Sequence, residues 1–257
     1  MLRPLYIIFV LLFSSACFAK AFNIHFYQEE KVPLVINGKN GKTSGIYYDA
    51  LTKILDEAQI NYQIKKAPAL RRRRAFWSGE TYISCCSNPS WRSKAQEQDV
   101  QFFSLPFMQL QDVIIYPKSM RPNMARLHSY KFALVRGYTY KDEKSFKKVT
   151  RLVNERAILE FINSKRANLG IVNKTIAQYY INKLNLDLEI GPIYTTDDIH
   201  IRVHKNRKAL LKPINRSIKK LKEEGFFNDL KKSYVTKFNK DAQVDKTWDF
   251  LALTGQN

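Results

Sequence analysis

Arg92 ends a turn whose residue types suit the binding of an anion. The turn is the segment 87–92, which reads SNPSWR. A guanidinium presents a forked pair of N–H donors that matches a carboxylate, and two parallel charge-assisted hydrogen bonds fix the orientation of the bound group. The sequence therefore predicts that Arg92 binds a carboxylate, and the alternative is a surface arginine that follows a turn.

Small polar residues supply further candidates for such a site. Ser84, Ser87 and Asn88 flank the same turn, although residues of these types also cap turns without touching a ligand. Thr139 and the backbone of Gly137 lie at a predicted turn from a strand to a helix, where free N–H groups suit an anion. We predict all five as ligand contacts.

Aromatic residues are candidates for holding the apolar or cationic body of a ligand by stacking. They are Tyr27, at the end of the first predicted strand, Tyr47 and Trp77, with Trp91 behind them. For any one of these residues, packing in the core or at the rim of a site is the alternative.

Four successive arginines, Arg71–Arg74, stand on a predicted helix. Successive residues point all round a helix, so at least one of the four must face protein, ligand or partner. We interpret the run as a solvated basic face with one paired arginine, and contact with an anionic ligand is the alternative. A nucleic-acid site is disfavoured because the chain has no recognition motif and is predicted to be exported.

Residues 1–21 have the layout of a secretory signal peptide. Arg3 precedes an apolar run from Leu5 to Phe13, and small residues lead to a cleavage site after Ala19 or Ala21. The run is far shorter than the roughly 20 residues of a membrane span. The sequence therefore predicts a periplasmic protein, exported across the inner membrane.

The composition is that of a folded protein with a strong positive charge. The 257 residues have 45% hydrophobic side chains and a formal charge of +20, of which Arg3 and Lys20 contribute two. This length fits one large or two medium domains. In an exported protein the charge favours anionic solutes, acidic envelope polymers or anionic membrane surfaces as partners.

The adjacent pair Cys85 and Cys86 has two interpretations. Thiols tend to pair in an oxidising compartment, but neighbouring residues close only a small ring outside the usual disulfide geometry. The sequence favours two small buried apolar residues at a strand end, and a disulfide is the alternative.

Strand-like and helix-like segments alternate along the chain and must position these residues. Strands are predicted at Asn23–Tyr27, Tyr62–Ile64, Tyr82–Cys86, Asp112–Tyr116, Phe132–Val135, Leu169–Val172 and Ile199–Val203. Helices are predicted at Gly45–Ala58, Ala69–Ser78, Glu155–Asn163, Thr175–Leu184 and Lys208–Glu224, the last stopping at Gly225. This alternation predicts an α/β architecture with largely parallel sheets, which bind ligands at the carboxyl ends of their strands.

The order of six motifs resembles that of the family 3 extracellular solute-binding proteins, the amino-acid-binding receptors of bacterial uptake systems. The resemblance covers almost the whole mature chain. The motifs are GIYYD at 45–49, PALRR at 68–72 followed by SG, the turn at 87–92, FSLPF at 103–107, RGYT at 136–139 and the helix Leu211–Leu230.

This resemblance implies a two-lobed α/β fold that closes on a ligand between the lobes. Lobe one comprises residues 22–109 and 199–238, lobe two residues 110–198, and a tail residues 239–257. The two hinge crossovers are expected near Gln109–Asp112 and Thr195–Ile199. The family's arginine at the position of Arg92 grips the ligand α-carboxylate, which implies that role here.

The resemblance also exposes one departure. Amino-acid binders of the family have an aspartate after the strand Gly170–Val172, where it pairs with the ligand ammonium, whereas this chain has Asn173. We predict Asn173 as a ligand contact that accepts one bond without the charge. The implied function is capture of a small, carboxylate-bearing solute, an amino acid or a derivative, for a transporter or a sensor.

Two other functions remain as alternatives. A lyase or dehydratase on the same scaffold needs an acid or base in the cleft, and the candidates are Asp49, Glu80 and Asp112. A basic protein that binds envelope polymers is the second alternative. His200 and His204 lack a third ligand at fixed spacing, so we expect no metal. We also expect no cofactor and a monomeric protein.

Overall fold

A computed structural model describes residues 21–38, 40–92 and 95–238. The predicted signal peptide, apart from residue 21, and the predicted tail at 239–257 lie outside these residues. In the described part, no helix has the length and apolar character needed to cross a membrane.

The structure alternates strands and helices at the places that the sequence patterns indicate. The strands are β1 Phe22–Tyr27, β2 Ile36–Asn37, β3 Thr43–Ser44, β4 Tyr62–Ala67, β5 Ile83–Ser87, β6 Gln101–Phe103, β7 Met108–Pro117, β8 Lys131–Val135, β9 Lys148–Leu152, β10 Leu169–Asn173 and β11 Leu188–His204. The helices are α1 Ile46–Glu57, α2 Ala69–Trp77, α3 Ala95–Gln98, α4 Glu155–Asn163, α5 Lys174–Lys183, α6 Leu211–Glu223 and α7, residues 226–238.

Two helix boundaries fall at positions whose positive φ favours glycine. Gly45 precedes α1 with a φ of 115°, and a Cβ there would lie 2.6 Å from the Leu34 carbonyl oxygen, so another side chain would clash. Gly225 ends α6 with a φ of 74°, as the sequence predicts. Helix α1 buries Leu51, Ile54 and Leu55, which belong to its predicted apolar stripe.

The fold is the two-lobed α/β fold with two crossover strands. Strands β7 and β11 are long and pair in antiparallel fashion, with Asp112 opposite Thr195 and Met108 opposite Ile199. The two predicted crossover segments therefore face each other in one ladder. From here on, lobe one means residues 22–109 and 199–238, and lobe two means residues 110–198, as predicted from the sequence.

The sheets are mixed rather than largely parallel. Strands β1 and β4 pair in parallel, as do β8 with β9 and with β10. The crossover strands β7 and β11 instead make only antiparallel pairs, with each other and with β5, β6 and β10. The expectation of largely parallel sheets is wrong at this point because the chain leaves lobe one and returns to it in opposite directions.

Candidate functional site

A cleft between the two lobes gathers the carboxyl ends of several strands. Strand β1 ends there at Tyr27, β5 at Ser84–Cys86 and β10 at Ile171–Asn173, while α2 and α4 begin at its edges. Its volume is about 1110 Å³ when the open mouth is included. Because α/β sheets bind ligands at this location, the cleft is the candidate ligand site.

The structure brings seven of the ten predicted contact residues to the cleft. They are Tyr27, Tyr47, Ser84, Arg92, Gly137, Thr139 and Asn173. Gly137 turns the chain after β8 with a φ of 81°, and Thr139 follows in the cleft wall. The chain then passes through a short 3-10 segment, Glu143–Ser145, into β9. The expectation of a helix next to Thr139 is therefore wrong.

The other three predicted residues lie outside the lining of the cleft. Ser87 is buried at the end of β5 and is 2% exposed. Asn88 ties the turn to β11, since its Nδ2 donates to the Asp198 carbonyl oxygen at 2.8 Å while its Oδ1 accepts from the Ser90 N–H. Trp77 lies at the far end of α2 from the cleft. These contacts show that Asn88 caps the turn, which is the alternative given for it in the sequence analysis.

Four arginines form a basic wall on the lobe-one side of the cleft. The arginine wall consists of Arg72 and Arg73 from α2, Arg92 from the 3-10 segment Pro89–Arg92, and Arg202 from β11. Arg71 and Arg74 of the same run are exposed. Two arginines of the run, rather than the one expected, thus face protein and cleft.

Two carboxylates accompany the arginine wall. Glu29 accepts a hydrogen bond from Arg72 at 2.9 Å. The buried Glu97 lies 3.3 Å from the Nε of Arg73 and 3.9 Å from the Nε of Arg92. Arg202 is 2% exposed, has no ion pair among the described residues and lies with its guanidinium carbon 4.0 Å from the centre of the Phe76 ring.

The arginine wall is short of negative charge. Burial lowers the pKa of Arg202 to about 9, and repulsion from Arg92 and Arg73 adds to this shift against the attraction of Glu97. Burial also lowers the pKa of Arg92, with repulsion from Arg73 as the next cause. Buried cations in mutual repulsion are stabilised by an anion that enters between them.

A buried ion pair joins the two lobes across the same cleft. The Nζ of Lys31 in lobe one lies 2.8 Å from Glu155 at the start of α4, and it donates to the hydroxyl of Tyr138 at 2.6 Å. Both charged side chains are less than a tenth exposed. Burial alone lowers the pKa of Lys31, but Glu155 and the surrounding tyrosines outweigh it and raise the pKa well above the ordinary value.

Asn173 lines the cleft with its polar atoms already engaged. Its Oδ1 accepts from the N–H groups of Thr175 and Ile176 and so caps α5, and its Nδ2 donates to the Gln111 carbonyl oxygen at 3.3 Å. The side chain therefore holds α5 against β7. The acceptor that the sequence predicts for a ligand at this position is used within the protein.

The match to a known family decides what kind of protein has this cleft. The sequence profile of the bacterial extracellular solute-binding proteins, family 3, matches residues 25–237. The chain belongs to this family. No curated protein matches the sequence at a significant level.

Solved structures similar to this family 3 protein include a ligand-binding core, a sensor domain and a substrate-binding protein. The GluR0 ligand-binding core in complex with L-glutamate has a TM-score of 0.72 at 18% identity, covering 84% of this chain and 99% of that chain. A histidine kinase sensor domain with similarity to periplasmic binding proteins has a TM-score of 0.70 at 14% identity, covering 84% and 96%. The substrate-binding protein of an amino acid ABC transporter has a TM-score of 0.69 at 18% identity, covering 84% and 99%. Likeness at these identities establishes the fold alone.

The cleft of this family 3 protein also contains a disulfide between adjacent residues, Cys85 and Cys86. Both cysteines are buried near the end of β5, as the preferred interpretation expects, but they form the disulfide that was the alternative. The Tyr27 hydroxyl donates to the Cys86 carbonyl oxygen at 3.3 Å, and the Tyr27 and Tyr47 rings lie 5.8 Å apart. The disulfide and the two rings together form the floor of the cleft.

Asp112 is an acid of the cleft with a shifted pKa. Burial raises the pKa of its carboxyl to about 7, with repulsion from Asp197 and Glu155 adding to the shift, while attraction to Lys31 and a hydrogen bond with Asn173 oppose it. An acid whose pKa is raised on folding binds a proton that the unfolded chain releases above about pH 4. Its contribution to stability is complete below that pH and is lost as the pH rises through 7.

We expect the substitution Asp112→Asn to remove this pH dependence. Between pH 5 and pH 8 the free energy of unfolding of the unchanged protein should fall relative to that of the variant. The relative loss over this window is at most about 2.6 kcal/mol, because part of the total shift is already lost between pH 4 and pH 5, and it is smaller still because the carboxyl is partly open to the cleft. Urea unfolding at both pH values measures it, with the exposed Asp187→Asn as control. An equal difference at the two pH values would contradict the shifted pKa.

Sequence reasoning missed three charged residues of the cleft: Lys31, Glu155 and Arg202. Arg202 has a recognisable signal, because a charged residue stands between the buried Ile201 and Val203 of one strand. Glu155 directly follows Asn154, which caps α4. Lys31 has no comparable signal, since it belongs to an irregular turn closed by hydrogen bonds with Val35.

Proposed function

We propose that this protein is a periplasmic receptor that captures a small, carboxylate-bearing solute in the cleft between its lobes. The observation that carries the proposal is Arg92, which lines the cleft and shares the buried Glu97 with Arg73. A carboxylate that bonds to Arg92 brings the charge that this end of the cleft lacks. Closure of the lobes around the solute gives the signal that a membrane partner reads.

Family membership and the similar structures support a membrane partner of one of two kinds. One similar structure is the substrate-binding protein of an amino acid ABC transporter, and another is a histidine kinase sensor domain. We propose that this chain, acting as a monomer, delivers its solute to a permease or presents it to a sensor. The predicted signal peptide and the family description, which names extracellular proteins, support the periplasm as its location.

The contacts of the three candidate acids favour binding over catalysis. The Asp49 carboxylate accepts a hydrogen bond from Tyr234, and Glu80 is 67% exposed beside His25, so both lie outside the lining of the cleft. Asp112 lines the cleft, and its hydrogen bond is to Asn173. Asp112 is thus the candidate acid left to the enzyme alternative, whereas the family match supports a binding protein. We therefore propose a receptor without bond chemistry.

A thermal-shift screen of the mature protein tests the proposal. The probes are amino acids, their derivatives, short peptides and organic acids. A ligand at about 100 times its dissociation constant adds roughly 2.7 kcal/mol of stability, which for a domain of this size raises the midpoint by about 5–10 °C. A shift confined to one class of anionic solute is the expected result. A folded protein that responds to none of the probes would contradict the proposal and favour the polymer-binding alternative.

A further inference from the structure

In the arginine wall, positive charges outnumber negative charges, and this excess indicates the charge of the ligand. The arginine wall has four guanidinium groups and two carboxylates, Glu29 and Glu97, of which the first is committed to Arg72. Glu97 is shared between Arg73 and Arg92. Two positive charges of the wall are therefore left over among the described residues.

Arg202 shows most clearly where the excess lies. The side chain is almost fully buried, its Nε has no hydrogen-bond partner among the described residues, and its guanidinium lies over the Phe76 ring. Removing one partner of a buried charge pair is strongly destabilising, because an unpaired charge loses its hydration. Arg202 is buried in the cleft wall without a carboxylate of its own, so we infer that a bound ligand supplies the negative charge that pairs with it.

The polar groups that could receive a ligand ammonium are paired, capped or weakened. Glu155 is paired with Lys31 at 2.8 Å and is buried with it. Asn173 replaces the aspartate of the family's amino-acid binders and is engaged with α5 and β7. Asp112 lines the cleft without an ion pair among the described residues, but burial and repulsion from Asp197 and Glu155 raise its pKa to about 7, which makes it a weaker partner for an ammonium than a fully charged carboxylate. Lys31 thus supplies from within the protein the cation that an amino acid would bring.

We propose that the cleft takes a solute that has two negative charges and no ammonium group. The fitting classes are a dicarboxylate and a phosphate monoester, because either brings two charges to Arg92 and Arg202 at once. This inference rests on the proposed function, since it specifies the solute that the same cleft captures.

Four probes of similar size separate the possibilities by calorimetry: glutarate, glutamate, butyrate and propyl phosphate. We expect glutarate or propyl phosphate to bind at least about tenfold more tightly than butyrate, which lacks the second charge. We also expect glutamate to bind more weakly than glutarate, because its ammonium is repelled by Lys31 and meets only Asp112, an acid with a raised pKa. Which of the two dianions binds better identifies the anionic group.

The substitution Arg202→Met tests the assignment within the protein. The variant should lose affinity for the dianion by a larger factor than for butyrate, so that the preference for the dianion disappears, and the exposed Arg74→Met on α2 is the control. Without ligand, Arg202→Met should keep or raise the melting temperature, because it removes an unmatched buried charge. A fall of several degrees would show that Arg202 has a partner within the fold and would overturn the inference.

Two outcomes separate failure of this inference from failure of the proposed function. If glutamate or butyrate binds as tightly as the better of the two dianions, the cleft is a receptor site but not one for a dianion without ammonium. If none of the four probes binds while another solute of the wider screen does, the inference again fails alone. If no solute in the wider screen binds, both proposals fail.

Discussion

Replacing Arg92 by alanine is expected to weaken the binding of an anionic solute by about 2–4 kcal/mol, which is roughly 30-fold to 1000-fold in the dissociation constant. The reason is that a carboxylate desolvated in the cleft loses its forked, charged partner. The measurement is calorimetry with the best ligand of the thermal-shift screen. No change in affinity would contradict the role of Arg92.

The structure indicates that Arg92→Ala leaves the fold intact. Glu97 keeps an ion pair at 3.3 Å with Arg73, so the buried carboxylate still has a cationic partner when Arg92 is removed. The matched control is Arg74→Ala, which removes the same charge from an exposed position of α2. Arg92→Lys keeps the charge but loses the planar fork, and we expect it to bind with intermediate affinity.

The sequence predicts the fold well because the fold follows from local patterns. The apolar stripe of α1 and the stop at Gly225 are determined by residues that are close in sequence, and periodicity records them. Strand β11 shows the limit of this reasoning. Only its last part alternates as a buried strand, and the remainder is defined by its pairing with β7, which is distant in sequence.

The candidate site was predicted only in part for the same reason. Arg92 has a local signal, since it ends a turn of recognisable composition. The contact between Lys31 and Glu155 joins residues that are 124 positions apart, and it exists only because the lobes face each other. Asn173 caps α5 locally, but its bond to the Gln111 carbonyl oxygen likewise depends on β7 passing beside it. Local patterns contain neither fact.

The pair Lys31–Glu155 is expected to hold the lobes together, and its disruption gives the second large effect. The substitution Lys31→Met leaves Glu155 buried without its cation, which costs about 3–5 kcal/mol while the cleft stays closed. Opening of the lobes relieves this cost by letting water reach the carboxylate. We therefore expect the ligand-free variant to be more open and to have a lower free energy of unfolding.

A double-mutant cycle distinguishes this role from a general loss of packing. Adding Glu155→Gln to Lys31→Met removes the unpaired charge, so the double variant should regain stability and closure relative to Lys31→Met. The control is Lys220→Met, because Lys220 forms an exposed pair with Glu57 at 2.6 Å within lobe one. An exposed pair contributes about 0–1 kcal/mol. Urea unfolding measures the stability, and the radius of gyration from small-angle X-ray scattering measures the opening.

The pH at which the cycle is measured follows from the pKa of Lys31. Because this pKa is raised on folding, the contribution of the pair is complete at neutral pH and is lost only as the pH rises through the folded value, in the alkaline range. At pH 7, Lys31→Met and Lys220→Met should therefore differ by the full effect. Equal losses of stability in the two variants, with an unchanged radius of gyration for Lys31→Met, would mean that the buried pair does not hold the lobes closed.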